Sequence, residues 1–511
     1  MDVSGGGKTM ILTTKIVQGL GWAALSQVAR LLFQVAIIAL LARLLTPQDF
    51  GLIVMVTVFT NFVTIFRDFG LTAALVQRKE LTQQHLSSSF WISIAAGLLL
   101  STILFGVAPE IASFYKESRL TSITRVLSSV FFISSFGIVQ TALFTRELRF
   151  KVLAVVEILA VVISGTIAVG LAFAGFGVWS LVWRQVISSF AIVTFLWAFS
   201  RWRVRLFFQW QRVKELLSFG LNLTGFNFVN YFNRNLDNLL IGKFLGSALL
   251  GFYSLAYQLL LFPLGNISQV LGRVMFPVLS TIQENKREVR YVYLRAIQYI
   301  ATISFPMMLG LFVLAPQFVR VIFGFQWERS IFLIQILALV GLIQSISHTV
   351  GWIYHSQGRT DIQLRWGLFF TIIIVLSFII GLRWDVEGVT IAYAIATLLL
   401  TYPALAIPFR LIKLRVGHFF KQLILTLLAA LGMAGTIFGL SLFLGNTLMA
   451  SDLTTLVTGM TVGVLSYAGL LWVLDRDLYR EVFRLLNQLK PSPPEIAWQE
   501  DYDSRSGKVK L

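Results

Sequence analysis

Apolar stretches of membrane-spanning length follow one another along nearly the whole chain, and this feature limits the fold more than any other. A helix needs roughly 20 mostly apolar residues to cross a bilayer. Such stretches lie near 17–44, 50–76, 86–108, 120–144, 152–174, 178–199, 216–242, 248–280, 291–314, 330–356, 364–382, 388–408, 420–444 and 453–474. Hydrocarbon offers backbone N–H and C=O groups no water, so each stretch must close its own hydrogen bonds as a helix. The expectation is an all-α integral membrane protein with about fourteen transmembrane helices. The stretch from 248 is long enough to include a cytoplasmic extension, and Pro306 and Pro403 can kink their helices. Lys8 and Lys15 precede an apolar run reaching about residue 44, too long for the core of a signal peptide, so the first helix is expected to be retained.

Composition points the same way. The chain is 57% hydrophobic and 13% charged, and a globular surface needs about twice that charge. A net charge of +18 would suggest nucleic acid as the partner of a soluble protein, but here the basic residues must first be placed relative to the membrane. With a cytoplasmic N-terminus, the inner segments before the tail hold nineteen Lys and Arg, and the outer loops hold only a few, among them Lys116, Arg119, Lys243, Arg320 and Arg383. That asymmetry predicts cytoplasmic N- and C-termini and makes much of the charge topological. No nucleic-acid partner is expected. The absence of cysteine excludes disulfides, thiolate metal sites and a cysteine nucleophile.

Two internal matches predict a duplication. Arg43-Leu44-Leu45 aligns with Lys243-Phe244-Leu245, and Phe50-Gly51-Leu52 with Leu250-Gly251-Phe252, at an offset of 200. Gly177-Val178 and Gly388-Val389 open the sixth and twelfth stretches at an offset of 211. The expected organisation is a cytoplasmic N-terminus at 1–16, a first six-helix bundle at 17–199 and a basic linker at 200–215. A second, pseudo-symmetric six-helix bundle at 216–408, two additional helices at 409–474 and a cytoplasmic tail at 475–511 complete it. In the linker, Arg201, Arg203 and Arg205 interleave with Trp202, with Trp210 further on, which suits an amphipathic segment on an anionic surface.

The polar residues that remain inside apolar segments form stripes. Gln27, Arg30 and Gln34 recur as Asn227, Asn230 and Arg234, and the spacing i, i+3, i+7 puts each trio on one helix face. Asp237 continues the second stripe, and Asn266, Gln269 and Arg273 repeat the spacing in the next span, with Tyr253 and Tyr257 nearer its outer end. One polar residue can be interhelical glue, but stripes on neighbouring spans indicate a lined, water-filled path between the halves. Its excess charge is positive. Such a lining repels cationic drugs and holds a phosphate or diphosphate through forked guanidinium donors.

Other features weigh toward structure. Gly5-Gly6-Gly7-Lys8-Thr9 resembles a phosphate-binding loop only superficially, because its first glycine would fall on Asp2 and no strand precedes it. No cofactor is expected, and transport must draw on an ion gradient, a substrate gradient or a partner. His348 and His355 could share a helix face but have no further ligand at metal spacing, so polar packing is the expected role. Gly175 and Gly177 read as a tight outer turn. Arg67 and Asp68 read as an ion pair, with each other or with a neighbouring helix. Glu157 is a lone buried acid, open between arginine pairing and proton coupling.

At these residues the chain resembles the polysaccharide-transport branch of the multidrug/oligosaccharidyl-lipid/polysaccharide exporter superfamily, whose members are Wzx-type flippases. The matching stretches are Ala42-Arg-Leu-Leu-Thr-Pro-Gln-Asp-Phe-Gly-Leu52, Arg67-Asp-Phe-Gly-Leu71, Leu221-Asn-Leu-Thr-Gly-Phe226, Arg234-Asn-Leu-Asp-Asn-Leu-Leu-Ile-Gly242 and Tyr257-Gln-Leu-Leu260. The likeness covers residues 15 to about 410. It implies movement of an undecaprenyl-diphosphate-linked oligosaccharide between leaflets of the bacterial inner membrane by alternating access of two bundles. Polysaccharide polymerase and assembly proteins would be the protein partners, and membrane lipids the surroundings. On this reading Arg30, Arg234 and Arg273 contact diphosphate or acidic sugar, and Asn227, Asn230 and Gln269 bond the sugars. Gln27 and Gln34 share the lining, and Asp237, with Glu157 and Asp68, serves coupling or ion pairing. A cation-coupled drug exporter would need acids facing its lumen. A polymerase or ligase would need a sizeable outer loop, and the longest outer connections are roughly a dozen residues. A membrane scaffold is a third alternative.

Overall fold

The computed structural model describes residues 33–67, 70–78, 81–211, 214, 231, 235–263, 265, 269–447 and 449–481. Among these residues there is no strand. The helices, in chain order, are α1 (Phe33–Leu44), α2 (Pro47–Thr64), α3 (Leu71–Gln77), α4 (Gln83–Gly106), α5 (Ala108–Tyr115), α6 (Arg119–Ser135), α7 (Ile138–Arg146), α8 (Phe150–Phe173) and α9 (Val178–Phe199). They continue with α10 (235–245), α11 (Ser247–Pro263), α12 (Gln269–Thr281), α13 (Lys286–Phe318), α14 (Ser330–Ser347), α15 (Val350–Ser356), α16 (Thr360–Gly381), α17 (Asp385–Leu411), α18 (Val416–Thr447) and α19 (Asp452–Leu474).

By length and apolarity alone, eight helical runs among the described residues can cross a membrane, or nine if the pair α6 and α7, bent by 45°, is one span. The difference from fourteen has physical causes. The run Thr360–Leu411 counts once, yet α16 and α17 pack against each other. A hypothetical Cβ on Gly381 would strike the backbone of Gly388 and Val389, so the chain doubles back there as a tight hairpin. Other expected spans are divided: 50–76 into α2 and α3, and 248–280 into α11 and α12. The spans at 17–44 and 216–242 lie partly outside the described residues. Leu98, Leu99 and Ile103 on α4, and Ile372, Ile379 and Ile380 on α16, stand exposed, as lipid-facing side chains do.

Local sequence starts and stops these helices. Thr46 caps α2, its hydroxyl accepting from the Asp49 amide at 3.3 Å while Asp49 accepts from the Thr46 amide at 2.9 Å, and Pro47 takes the first helical position. Asn285 caps α13 by accepting from the amides of Arg287 and Glu288. Gly175 and Gly177, with φ of 82° and 54°, make the turn from α8 to α9 that only glycine adopts freely.

Two bundles result. The first is built on α2, α4, α6, α8 and α9, the second on α11, α13, α14, α16 and α17, and α18 and α19 pack on α13 at the second bundle's flank. The bundles meet where α2 packs on α11. At the end carrying the N-termini of α2 and α11, here the seam end, one continuous apolar core runs through both. It joins Leu52, Met55, Tyr115 and Leu120 to Leu250, Tyr253, Val319 and Trp327. Among the described residues of the far end, each bundle has its own separate core. Leu71, Leu75, Phe90 and Val139 form one in the first bundle, and Leu279, Tyr293, Phe409 and Phe419 form another in the second.

The basic linker is not helical over 200–209. It runs along α4, where the Arg205 amide donates to Ser87 at 3.2 Å and the Gln209 amide to Ser88 at 2.9 Å. Gln83 and Trp91 donate to the carbonyls of Arg203 and Arg205, and the Trp202 indole donates to Gln83. The buried serines of α4 thus serve as hydrogen-bonding groups for a docked strap.

Candidate transport site

The seam end is closed by repeat-related residues. Pro47 and Ser247 each begin a helix, and Gly51 and Gly251 each lie four residues further on. A Cβ on Gly51 would collide with the Ser247 carbonyl, and one on Gly251 with the Pro47 carbonyl. The two helices therefore cross with each glycine against the other's first turn, an approach no larger residue permits.

Cations lock the same crossing. Helix C-termini leave carbonyls without intrahelical partners and carry partial negative charge. Arg43, at the end of α1, reaches into the second bundle and donates to the carbonyls of Val321 and Ile322 in the π-helical turn Val319–Phe323 that ends α13, the second at 3.2 Å. Its counterpart Lys243 reaches the other way, donating to the Phe114 carbonyl in the last turn of α5 and lying 4.2 Å above the Phe114 ring. The α1 carbonyls are covered in return. Trp327 Nε1 donates to Ala42 O at 2.8 Å, and Gln326 Nε2 donates to the carbonyls of Ala42 and Arg43. Trp327 is fully buried, with its ring edge-on to Phe50 and Phe252, one aromatic from each repeat.

Below the seam, a buried polar network occupies the second bundle. Asp237 is 4% exposed, and its carboxylate accepts from the Tyr253 hydroxyl at 3.1 Å and from the Asn238 amide at 2.7 Å. Tyr253 stacks on Tyr257, and Gln344 donates to the Tyr393 hydroxyl at 2.6 Å. The network ties α10 and α11 to α14 and α17.

The sequence-derived lining falls unevenly on this frame. Gln27, Arg30, Asp68, Asn227, Asn230, Arg234 and Asn266 lie outside the described residues. Gln269 and Arg273 belong to the backbone of α12. Gln34 is exposed on α1. Asp237 has a tyrosine partner, which a one-helix reading could not supply because Tyr253 lies on the next helix. Glu157 was expected to be buried and is exposed: only the side of α8 carrying Val156, Ala160 and Ser164 is covered. His348 and His355 share no helix, since α14 ends at Ser347 and α15 starts at Val350; His355 packs edge-on against Phe276. Among the described residues no group of His, Cys, Asp and Glu could hold a metal ion. The seam residues Arg43, Trp327, Lys243 and Phe114 went unassigned in the sequence reading, although the Arg43/Lys243 and Gly51/Gly251 alignments were their signal.

Known proteins are similar to this chain. The profile of the family described as "Polysaccharide biosynthesis protein" matches residues 40–332, which include the whole seam. The teichuronic acid biosynthesis protein TuaB of Bacillus subtilis (strain 168) is 29% identical over 472 residues, covering 90% of this chain and 96% of TuaB. The lipopolysaccharide biosynthesis protein WzxC of Escherichia coli (strain K12) is 28% identical over 425 residues, covering 82% and 85%. Among solved structures, the inward closed conformation of the lipid II flippase MurJ superposes with a TM-score of 0.71 at 14% identity, over 90% of this chain and 99% of that one. This last likeness is one of fold. The profile match over more than half of the chain, with relatives that span nearly its full length, makes the chain a multi-pass membrane member of the polysaccharide biosynthesis protein family.

Proposed function

We propose that the protein is a transporter, not an enzyme, which flips an undecaprenyl-diphosphate-linked oligosaccharide across the bacterial cytoplasmic membrane for surface polysaccharide synthesis. The observation that carries this reading is the core shared by both bundles at the seam end against separate cores in the two bundles among the described residues of the far end. Two bundles joined at one end and parted at the other are one state of an alternating-access cycle. The loop charges favour a topology with the seam end outside and the far end, with both termini, in the cytoplasm. The bundles at 17–199 and 216–408 would then exchange contacts, releasing the seam and closing the cytoplasmic end. Arg30, Arg234 and Arg273 would take the diphosphate or acidic sugars, with Gln27, Gln34, Asn227, Asn230 and Gln269 as sugar donors and acceptors. Relatives named for teichuronic acid and lipopolysaccharide biosynthesis support the substrate class, and polymerase and assembly proteins are the proposed partners.

The test is genetic and chemical. Deleting the gene in a strain without a redundant flippase should trap lipid-linked repeats in the inner leaflet and abolish the surface polymer. Normal surface polymer in that strain would overturn the proposal.

A further inference from the structure

At the far end, away from the bundle interface, α13 and α18 enclose a cavity of about 410 Å³ lined by Arg287, Arg290, Arg295, Tyr291, His418 and Gln422, with Leu294 as its apolar wall. Three guanidiniums converge there against one carboxylate. Arg295 donates to Glu481 and, at 3.0 Å, to Gln298, while its Nε is buried without a partner. Arg290 uses one nitrogen to hold the carbonyls of Ile412 and Lys413, at 3.0 and 3.4 Å, beyond the end of α17. Among the described residues, the Arg287 side chain makes no hydrogen bond or ion pair. Gln422 is fixed toward the cavity floor by a 2.9 Å bond to Gln298, which itself donates to Asp475 at 3.2 Å.

Both helices begin at this cavity. Arg287 and Arg290 sit in the first two turns of α13 and His418 in the first turn of α18, which carries no acidic residue there. The positive end of the α18 dipole therefore adds to the arginine charge, while Glu288 in the first turn of α13 offsets that helix's own end. Like charges brought together in a concave site repel one another unless an anion joins them, and the forked donors of arginine match a phosphate. Tyr291 at the rim is 67% exposed, an amphipathic ring of the kind that marks a membrane interface.

We propose that this cavity binds the phosphate of an anionic group, held by Arg287, Arg290, Arg295 and His418, at a place separate from the transport path. The chemistry is a phosphate ester. Its source is either the headgroup of an anionic phospholipid in the adjoining leaflet or a soluble phosphate compound. The leaflet is the cytoplasmic one if the topology above holds, but the site stands without that assignment. An occupant would bridge α13 and α18 and so fasten the two extra C-terminal helices to the second bundle.

The test uses the full-length protein in detergent, titrated with phosphatidylglycerol, phosphatidylcholine, inorganic phosphate and diphosphate, and read by native mass spectrometry and thermal denaturation. Phosphatidylglycerol should bind at least tenfold more tightly than phosphatidylcholine, and Arg287→Gln should weaken it about tenfold, the loss expected for a charged hydrogen bond. Arg287 is exposed and unpartnered, so this variant should fold; Arg287→Gln with His418→Ala should weaken binding further. Stabilisation by phosphate or diphosphate that Arg287→Gln removes, with no preference for phosphatidylglycerol, would assign a soluble ligand. No difference between the wild type and both variants toward any of the four compounds would overturn the proposal.

Discussion

Gly51 and Gly251, 200 residues apart, occupy equivalent places on the two sides of one helix crossing, each against the first-turn carbonyl of the other repeat. Alanine would normally favour a helix interior over glycine, so any loss on substitution reports on the crossing. Gly51→Ala or Gly251→Ala should weaken closure of the seam by about 1–3 kcal/mol through overpacking against backbone. The chain has no cysteine, so a single Ser247→Cys probe is available. Its labelling by a membrane-impermeant maleimide should rise roughly 5- to 150-fold in either glycine variant. Unchanged labelling would show that the crossing does not gate access.

Arg43 and Lys243 differ in how many carbonyls they reach. Arg43 holds two carbonyls and Lys243 one, so Arg43→Ala should open the seam more than Lys243→Ala by the same labelling assay. Each lost charged bond is worth about 1.5–3 kcal/mol. The two sites act on one closure equilibrium without sharing a partner, so the double variant should be near the sum of the singles. Equal effects of the two singles would contradict the bond count.

Tyr253 is the described side-chain partner of the Asp237 carboxylate. Tyr253→Phe removes the donor and leaves a buried acid less satisfied, which should lower stability by about 1–3 kcal/mol in thermal unfolding of the purified protein. Asp237→Asn in the Tyr253→Phe background should recover much of that loss, because the charge no longer needs the hydroxyl. No recovery would mean the hydroxyl serves the Tyr257 side of the network instead.

Arg30→Ala and Arg234→Ala should each sharply reduce surface polymer at matched protein level. Lysine at either site should retain partial function, as a point charge without the bidentate fork. If Arg234 only neutralises Asp237, the double change Arg234→Ala with Asp237→Ala should restore transport. Full activity in both single arginine variants would remove the basis for a diphosphate site held from both bundles.

Topology gives the fifth expectation. Reporters fused after Gln209 or Gln283 should report the cytoplasm, and those after Ala315 or Gly445 the outside. An outer signal at Gln209 would invert the first bundle.

The helices and the repeat were legible in the residues because each can be seen in the order of the chain. A run of apolar residues must be helical in hydrocarbon whatever surrounds it. An offset of 200 between Gly51 and Gly251 needs no structure to be seen. Spacing also placed Asp237 on a polar face.

Tertiary structure alone decided what those faces meet. Periodicity assigns a residue to a side of its helix but does not say which helix lies opposite, and between apolar helices in lipid no hydrophobic driving force makes that choice. Close backbone approach and orphan carbonyls make it instead. Thus Gly51 rests on Ser247, Arg43 on the end of α13, and Asp237 on Tyr253. The linker's arginines suggested an amphipathic segment on an anionic surface, and only the structure shows that the buried serines of α4 hold it as a non-helical strap. Apart from the Asp237–Tyr253 pair, those contacts join residues more than a hundred positions apart in the chain and exist only once the helices have assembled.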